Sequence, residues 1–256
     1  MNYFSPYTSA ERYAKGRPNF HDNSILHVKE FLKLASKFDS ALDVGCGTGL
    51  STQALLKIAH RVYGTDSSQA MLSFALQKEK IVYQVSNAIE QPFENNFFDL
   101  VSVCSGVHWF EIDEFLSEAN RILKSKFWLI LYDNFFLGEM EGKPEFKSWY
   151  EHVYLQKFPP PKRNDNYNWE KEELKNMNFD FVSEEKFLNQ VSLNKNELIL
   201  YFTTQSNIIS EVETNHNSYK EVERWLDTEL SKFFIDAQTK QIIIFGNWIK
   251  YLKKIK

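Results

Sequence analysis

Cysteine is scarce in this chain. Cys46 and Cys104 are the only two, which excludes a secreted disulfide framework as the source of stability. Basic residues are not in excess either: 30 lysines and arginines face 34 aspartates and glutamates, for a net charge of −4. That leaves no electrostatic footprint for nucleic acid or for an anionic membrane surface. The six histidines, His21, His27, His60, His108, His152 and His216, lack metal-ligand spacing, and no metal site is expected. The opening run MNYFSPYTSAERYAKGR has no apolar stretch of signal-peptide length, and no later run is long enough to cross a bilayer. The expected location is therefore the cytoplasm. Internal repeats and low-complexity stretches are also missing. What is present is an ordinary globular composition, 43% hydrophobic and 25% charged, over 256 residues. Such a chain can bury a sizeable core in one domain, with room for a modest insertion. Aromatic residues are plentiful, with 22 Phe, 12 Tyr and 6 Trp; most belong in a core, and some could line a pocket for a flat or cationic ligand.

Between residues 40 and 134 short β-rich runs alternate with helical periodicity. Strands are expected at 40–44, 61–66, 81–85, 97–104 and 127–132. Helices are expected at 50–59, from an N-cap at Ser67 through Ala75, and at 113–123. This alternation implies right-handed crossovers and a parallel sheet covered on both faces, a doubly wound α/β fold. An amphipathic helix over 23–37 precedes it. Residues 138–178 break the rhythm with Gly142, the run Pro159-Pro160-Pro161 and charges among aromatics, which reads as an inserted helical cap. After it come an expected strand over 182–193, helices over 198–204 and 219–234, and a closing strand over 241–252. Lys253-Lys254-Ile255-Lys256 reads as a solvated tail. The whole chain, 1–256, is thus expected to be a single domain with a cap built from 1–22 and about 138–178.

The segment Leu42-Asp43-Val44-Gly45-Cys46-Gly47-Thr48-Gly49-Leu50 falls where the first strand turns into its helix. Ligands of open α/β sheets bind at the carboxyl ends of such strands, and glycines there allow a tight turn and close approach of the backbone. Two ligand classes compete for the loop. A dinucleotide fingerprint is Gly-x-Gly-x-x-Gly, with a pyrophosphate on the helix N-terminus. Here the third glycine comes one position early, and Leu50 stands where that fingerprint has glycine or alanine. Asp43, two residues before Gly45, would repel a pyrophosphate and attract an ammonium group. S-adenosylmethionine (SAM) carries an ammonium, a carboxylate and a sulfonium but no phosphate, so the arrangement favours it.

The run LDVGCGTG resembles the first motif of class I SAM-dependent methyltransferases, in particular the type 11 group that includes ubiquinone/menaquinone-pathway and trans-aconitate-type enzymes. The resemblance continues in order along the chain. Asp66 ends the second strand where the family places the acid that grips both ribose hydroxyls. Asn87-Ala88-Ile89-Glu90, ahead of Pro92-Phe93, is similar to the family's adenine-contacting segment. Asn87 replaces the usual aspartate there, so it can accept a hydrogen bond only without charge assistance. Phe98-Asp99-Leu100-Val101 with Val107-His108-Trp109-Phe110 resembles the fourth strand and its exit loop. Tyr13-x-x-x-Arg17-Pro18 is similar to an N-terminal signature of the trans-aconitate-like branch. The match is strong over 13–134 and weaker to the end, where it implies an antiparallel last strand in a Rossmann-like, mostly parallel seven-stranded sheet. It also implies SAM as cofactor, with S-adenosyl-L-homocysteine as product. Asp43, Gly45, Cys46, Gly47, Thr48, Gly49, Asp66, Ser67, Met71, Asn87, Ala88, Ile89, Cys104 and Ser105 would hold the cofactor. A small-molecule acceptor would lie near Arg12, Tyr13, Arg17 and Trp109.

Each residue also has a plainer reading. The glycines could serve only a tight turn, Asp66 could cap the next helix, and Asn87 could cap its own loop. Met71, Trp109 and Phe110 could be core, or could respectively pack on adenine and wall the pocket. Cys46 and Cys104 are expected to supply contacts rather than a nucleophile, since the Pro-Cys dipeptide usual for cytosine-C5 methylation is missing. His108 is either a general base or a loop histidine bonded to backbone. Arg12, Tyr13 and Arg17 are either surface residues or a flap over the cofactor, with an arginine for an acceptor carboxylate. The expected protein is a methyltransferase, monomer or homodimer, acting on a small carboxylate or hydroxyl compound and not on nucleic acid or membrane. An NAD(P)-dependent oxidoreductase, a catalytically silent SAM-binding module, and a protein or tRNA acceptor stand as alternatives.

Overall fold

The structure is a computed structural model that describes residues 6–161, 169, 171–214 and 217–256. Residues 1–5, 162–168 and 170 of the expected caps lie outside it, as does His216. Seven strands, β1 (Phe38–Val44), β2 (Ala59–Asp66), β3 (Ile81–Val85), β4 (Phe98–Cys104), β5 (Leu123–Met140), β6 (Phe179–Leu193) and β7 (Gln241–Lys254), form a sheet in the order β3-β2-β1-β4-β5-β7-β6. β1 pairs in parallel with β2 and β4, β2 with β3, and β4 with β5; the last strands run antiparallel. The mostly parallel, Rossmann-like sheet expected from the sequence is therefore present.

Helices α1 (Tyr7–Gly16) and α2 (His21–Phe31) precede β1, and α3 (Leu50–Leu55), α4 (Gln69–Ser73) and α5 (Ile112–Ile122) sit in the crossovers. After β5, α6 (Pro144–Trp149) continues through a π-helical turn at Tyr150–Tyr154 into α7 (Leu155–Lys157). Helix α8 (Lys171–Asn176) leads into β6, and α9 (Lys195–Phe202), α10 (Ser206–Glu213) and α11 (Tyr219–Leu230) lie between β6 and β7.

The described residues divide into two compact units, one drawn from 6–18, 135–161, 188–214 and 217–246, the other from 19–134, 169, 171–187 and 247–256. In the second unit the strands alternate between two packed faces, as the period of two demands. Leu42, Val101, Leu129 and Leu131 point into one cluster with Phe115 and Leu116 of α5. Ala41, Leu100, Ile130 and Tyr132 point into the other, with Ile25 and Val28 of α2 and Ala54 and Leu55 of α3. Strands buried on both faces read as continuous apolar runs, which is why FDLVSVC and FWLILY are legible in the sequence. The first unit has a different core, built from aromatic rings. Phe202 meets Phe136, Trp149 and Tyr154 at centroid distances of 5.3, 5.9 and 4.6 Å.

Several boundaries differ from expectation. The helix after Gly49 ends at Leu55, not at 59, because β2 already begins at Ala59. The cap of α4 is Ser68, whose hydroxyl accepts from Met71 N at 3.2 Å, while Ser67 is exposed. β5 runs from Leu123 to Met140; Phe98 pairs with Leu123 but Leu100 with Trp128, so β5 bulges there, with Lys126 at φ 68°. Residues 138–178, expected as one insertion, contribute to both units. The end of the chain is no loose tail either. Lys254 is buried, and its ammonium donates to Asn96 Oδ1, Asn120 O and Leu123 O at 3.0, 2.7 and 2.8 Å.

Candidate active site

The loop between β1 and α3 turns through three left-handed glycines, Gly45, Gly47 and Gly49, at φ 70°, 54° and 80°. Two of these positions are also tight. A Cβ on Gly49 would fall 2.2 Å from Tyr83 Oη, and one on Gly45 would fall 3.2 Å from the Phe110 ring. Gly45 N and Cys46 N both donate to Thr65 O, at 2.8 and 2.9 Å, which ties the loop to the end of β2. Thr48 is buried at the foot of the turn.

Asp43 lies beneath this loop with no exposed surface. Its Oδ2 accepts from Ser51 and Thr52 at 2.6 and 2.7 Å, and its Oδ1 from Ser102 at 3.2 Å. The direct salt link to a ligand ammonium expected from the sequence is therefore not offered. The carboxylate instead joins β1, α3 and β4 from below, as a fixed negative charge under the turn. Burial outweighs the three hydroxyls and pushes its pKa up to about 6. A carboxyl raised in the folded chain stabilises most while protonated, and that contribution is lost as pH rises through the folded pKa. From pH 5 to pH 8 the loss is on the order of 1 kcal/mol for a shift of this size. Asp43→Asn should remove this slope, so chemical denaturation at the two pH values should show the variant gaining on wild type toward pH 8. Parallel pH profiles for the two proteins would contradict that assignment.

Asp66, at the tip of β2, is beside the loop. Its Oδ2 accepts from Gly47 N at 2.9 Å and its Oδ1 from Ser68 N at 2.8 Å. Partial burial raises its pKa against the pull of those two amides. An ionised carboxylate has about four acceptor sites, so each oxygen keeps room for one more donor. Beyond β3, Asn87 is exposed and its Oδ1 accepts weakly from Ile89 N at 3.4 Å, which is the loop-capping role; the residue stays accessible. Ala88 and Ile89 pack partly on the core. Gln91 Nε2 donates to Asn87 O at 2.7 Å, and Arg121 donates to Gln91 O and Phe93 O at 3.0 and 2.8 Å, which fixes the segment. Met71, on α4, is only 4% exposed and faces the interior.

At the carboxyl end of β4, Ser105 adopts φ 53°, a conformation a non-glycine residue rarely takes. The 3-10 turn Val107–Trp109 follows, with His108 half-buried, its ring 4.9 Å from that of Trp109, and Trp109 38% exposed. Phe110 packs on Phe115 at 5.1 Å and over Gly45. Both cysteine thiols are pushed up in pKa by burial, Cys46 well above its ordinary value, so neither is a ready nucleophile. In the other unit, Arg12 pairs with Glu213 at 3.0 Å and covers the Tyr219 ring at 5.2 Å. Arg17 donates to Thr204 O at 3.0 Å and covers the rings of Tyr13 and Tyr201 at 4.7 and 5.3 Å. The expected use of Arg12 and Arg17 on an acceptor carboxylate thus meets guanidinium groups already engaged in packing that unit.

Two further groups that no sequence pattern singles out meet these residues. His21 Nδ1 lies 3.3 Å from Tyr132 Oη and 3.5 Å from Cys104 Sγ. Asp133, one residue past the expected end of the fifth strand, accepts from Ser105 Oγ. Asp133 follows directly on the apolar run that marks the fifth strand, the one signal in the sequence for it; nothing local marks His21. Among the described residues no cluster of histidine, cysteine and acids could hold a metal, and no helix is long and apolar enough to cross a membrane.

The methyltransferase domain family matches residues 42–131, the span that carries this loop, Asp66 and the β4 exit. The demethylmenaquinone methyltransferase of Staphylococcus haemolyticus is 32% identical over 183 residues, covering 65% of this chain and 69% of that protein. This chain belongs to the class I methyltransferases. A methyltransferase relative from Dictyostelium discoideum is 26% identical over 208 residues, 77% of this chain and 74% of its own length. A structure from Anaeromyxobacter dehalogenans, assigned as a type II methyltransferase, shares the fold over 93% of this chain and 98% of its own, with a TM-score of 0.73 at 17% identity. The class I methyltransferase fold thus extends well beyond the span matched by the domain family.

Proposed function

We propose that this class I methyltransferase family member binds SAM at the β1–α3 turn and methylates a small-molecule acceptor in the cytoplasm. The reading takes the whole chain as one catalytic domain with caps from 1–22 and 138–178. One observation carries it: a partly exposed carboxylate, Asp66, bonded to the middle of a left-handed glycine turn. That donor and acceptor set suits a ribose held beside a phosphate-free ligand. Asp66 would hold the two sugar hydroxyls, Asn87 with Ala88 and Ile89 would take the adenine edge, and the loop amides would face the methionine part. Bound SAM supplies an electrophilic methyl group on a sulfonium, already reactive toward a lone pair. The chain's work is to align the acceptor and keep water out, for which effective molarity is the relevant gain. Phe110 and Trp109 would give the cationic sulfur an aromatic wall, an attraction of about 0.5–2 kcal/mol. His108 remains a candidate base on the same rim.

Calorimetry decides between this reading and a nicotinamide-dependent one. S-adenosylhomocysteine should bind with one site per chain and micromolar affinity, of the order of −8 kcal/mol, while NADH and NADPH give no heat. Saturable NAD(P)H binding with no response to S-adenosylhomocysteine would reverse the assignment. Methyl transfer from labelled SAM in an acceptor screen then excludes a silent binding module.

A further inference from the structure

We propose that Asp133, oriented by Ser105, is the acceptor-side carboxylate of this site, and that the acceptor is a hydrogen-bond-donating nucleophile, a hydroxyl or an amine; this rests on the SAM reading above. Tyr132 pairs with Cys104 at the end of β4, so Ser105, just past that end, stands beside Asp133 of β5, where the pairing of the two strands stops. β1 and β4 are neighbours whose chains leave toward opposite edges of the sheet, and such a switch point is where ligands of open α/β sheets bind. Ser105 Oγ donates to Asp133 Oδ1 from a left-handed backbone, φ 53°. A non-glycine residue held there stores strain, which the surrounding structure must over-determine. Behind the pair, Cys104 Sγ lies 3.6 Å from Ser105 Oγ.

Among the described residues Asp133 has no cationic partner; its hydrogen bond is to a neutral hydroxyl. A half-buried carboxylate in that state attracts a donor and repels a second carboxylate. An acidic acceptor would meet a like charge here. In the step proposed, the acceptor's oxygen or nitrogen lone pair forms the bond to the methyl carbon as the carbon–sulfur bond breaks, its electron pair going to sulfur. The acceptor's proton passes to the Asp133 carboxylate, with Ser105 holding the carboxyl in place.

The test uses the full chain saturated with S-adenosylhomocysteine and three matched ring probes, phenol, benzylamine and benzoate, with dissociation constants from calorimetry. Phenol and benzylamine should bind at least about tenfold more tightly than benzoate. Asp133→Asn should shrink that preference to about twofold while S-adenosylhomocysteine affinity stays within about twofold; Ser105→Ala should weaken it part-way. A purely structural role in the turn would not move this ratio. Benzoate binding as well as phenol, failure of the donor probes to bind the saturated protein, or an undiminished preference in Asp133→Asn overturns the proposal. Should that variant not fold, the wild-type ratio and Ser105→Ala decide. Loss of S-adenosylhomocysteine binding by the wild type would instead sink the underlying SAM reading.

Discussion

Asp66→Ala should weaken S-adenosylhomocysteine binding by about 100-fold or more, equivalent to roughly 3 kcal/mol. Hydrogen bonds to a charged group contribute about 1.5–3 kcal/mol each, and this carboxylate has capacity for two beyond those it already accepts. It accepts Gly47 N and Ser68 N at 2.9 and 2.8 Å, so its removal also frees the middle of the glycine turn. Stability should fall by about 1–3 kcal/mol, because the Gly47 and Ser68 amides lose a charged acceptor and Ser68 is itself buried. Asp66→Asn separates the two contributions. An amide keeps the shape and one acceptor oxygen but brings two donors, so binding should remain impaired while the melting temperature recovers. Calorimetry beside thermal melting gives both numbers. An Asp66→Ala protein that binds S-adenosylhomocysteine within about threefold of wild type would remove the sugar from this carboxylate.

Phe202→Ala should cost about 3–5 kcal/mol, the range for truncating a fully buried aromatic residue. Phe202 has no exposed surface, and its ring meets five others, including Tyr150 at 6.4 Å and Tyr201 at 6.1 Å. Those rings also pack on one another and on their neighbours: Phe136 meets Phe146 and Tyr150 edge to face at 88° and 85°, and Tyr150 stacks on Tyr154 at 17°. Close-packed rings of this kind cannot collapse into a cavity without losing their mutual geometry. The urea midpoint should drop by about 1–2 M. Trp149 and Trp225, stacked at 6.3 Å within the same unit, report the transition by fluorescence. Phe202→Leu should lose less than half as much, since most of the volume stays filled. A midpoint unchanged in Phe202→Ala would mean this aromatic cluster does not hold its unit together.

How far the sequence could be read follows the range of the interactions involved. β3 was expected at 81–85 and is found as Ile81–Val85, because a short apolar run between turn residues leaves little choice. The glycine turn and Asp66 were equally legible, since neighbours in the chain impose their conformation. Helix α3 was over-extended because its apolar residues run on without a stop signal into β2. The cap of α4 was placed one serine early; Ser67 and Ser68 are equivalent by residue type, and only the bond to Met71 N separates them. Helix α10 has no side-chain cap, and the sequence does not announce its start. Its neighbours α9 and α11 carry full capping boxes, Asn194 with Glu197 and Ser218 with Glu221, a signature available in the sequence.

The roles of individual site residues were less accessible. Asp43 was expected to face the ligand because its sign is right; its true partners, Ser51, Thr52 and Ser102, depend on β4 lying beside β1. His21 reaches Cys104 across 83 residues, and Ser105 meets Asp133 across 28. Such meetings are set by strand register and helix docking, which no local pattern encodes. Arg12 and Arg17 look available in the N-terminal signature, but apart from the Tyr13 ring the groups that occupy them come from residues 201–219.

The basic residues that close the chain would be the first trimmed by anyone shortening it for crystals. Lys254 makes that a poor choice. Its single charge is the point where the return strand, the corner after α5 and the approach to β4 are laced together, through two main-chain oxygens and an asparagine amide. Cutting there would leave three inward-facing acceptors without their shared donor, so the terminus works as the final stitch of the sheet.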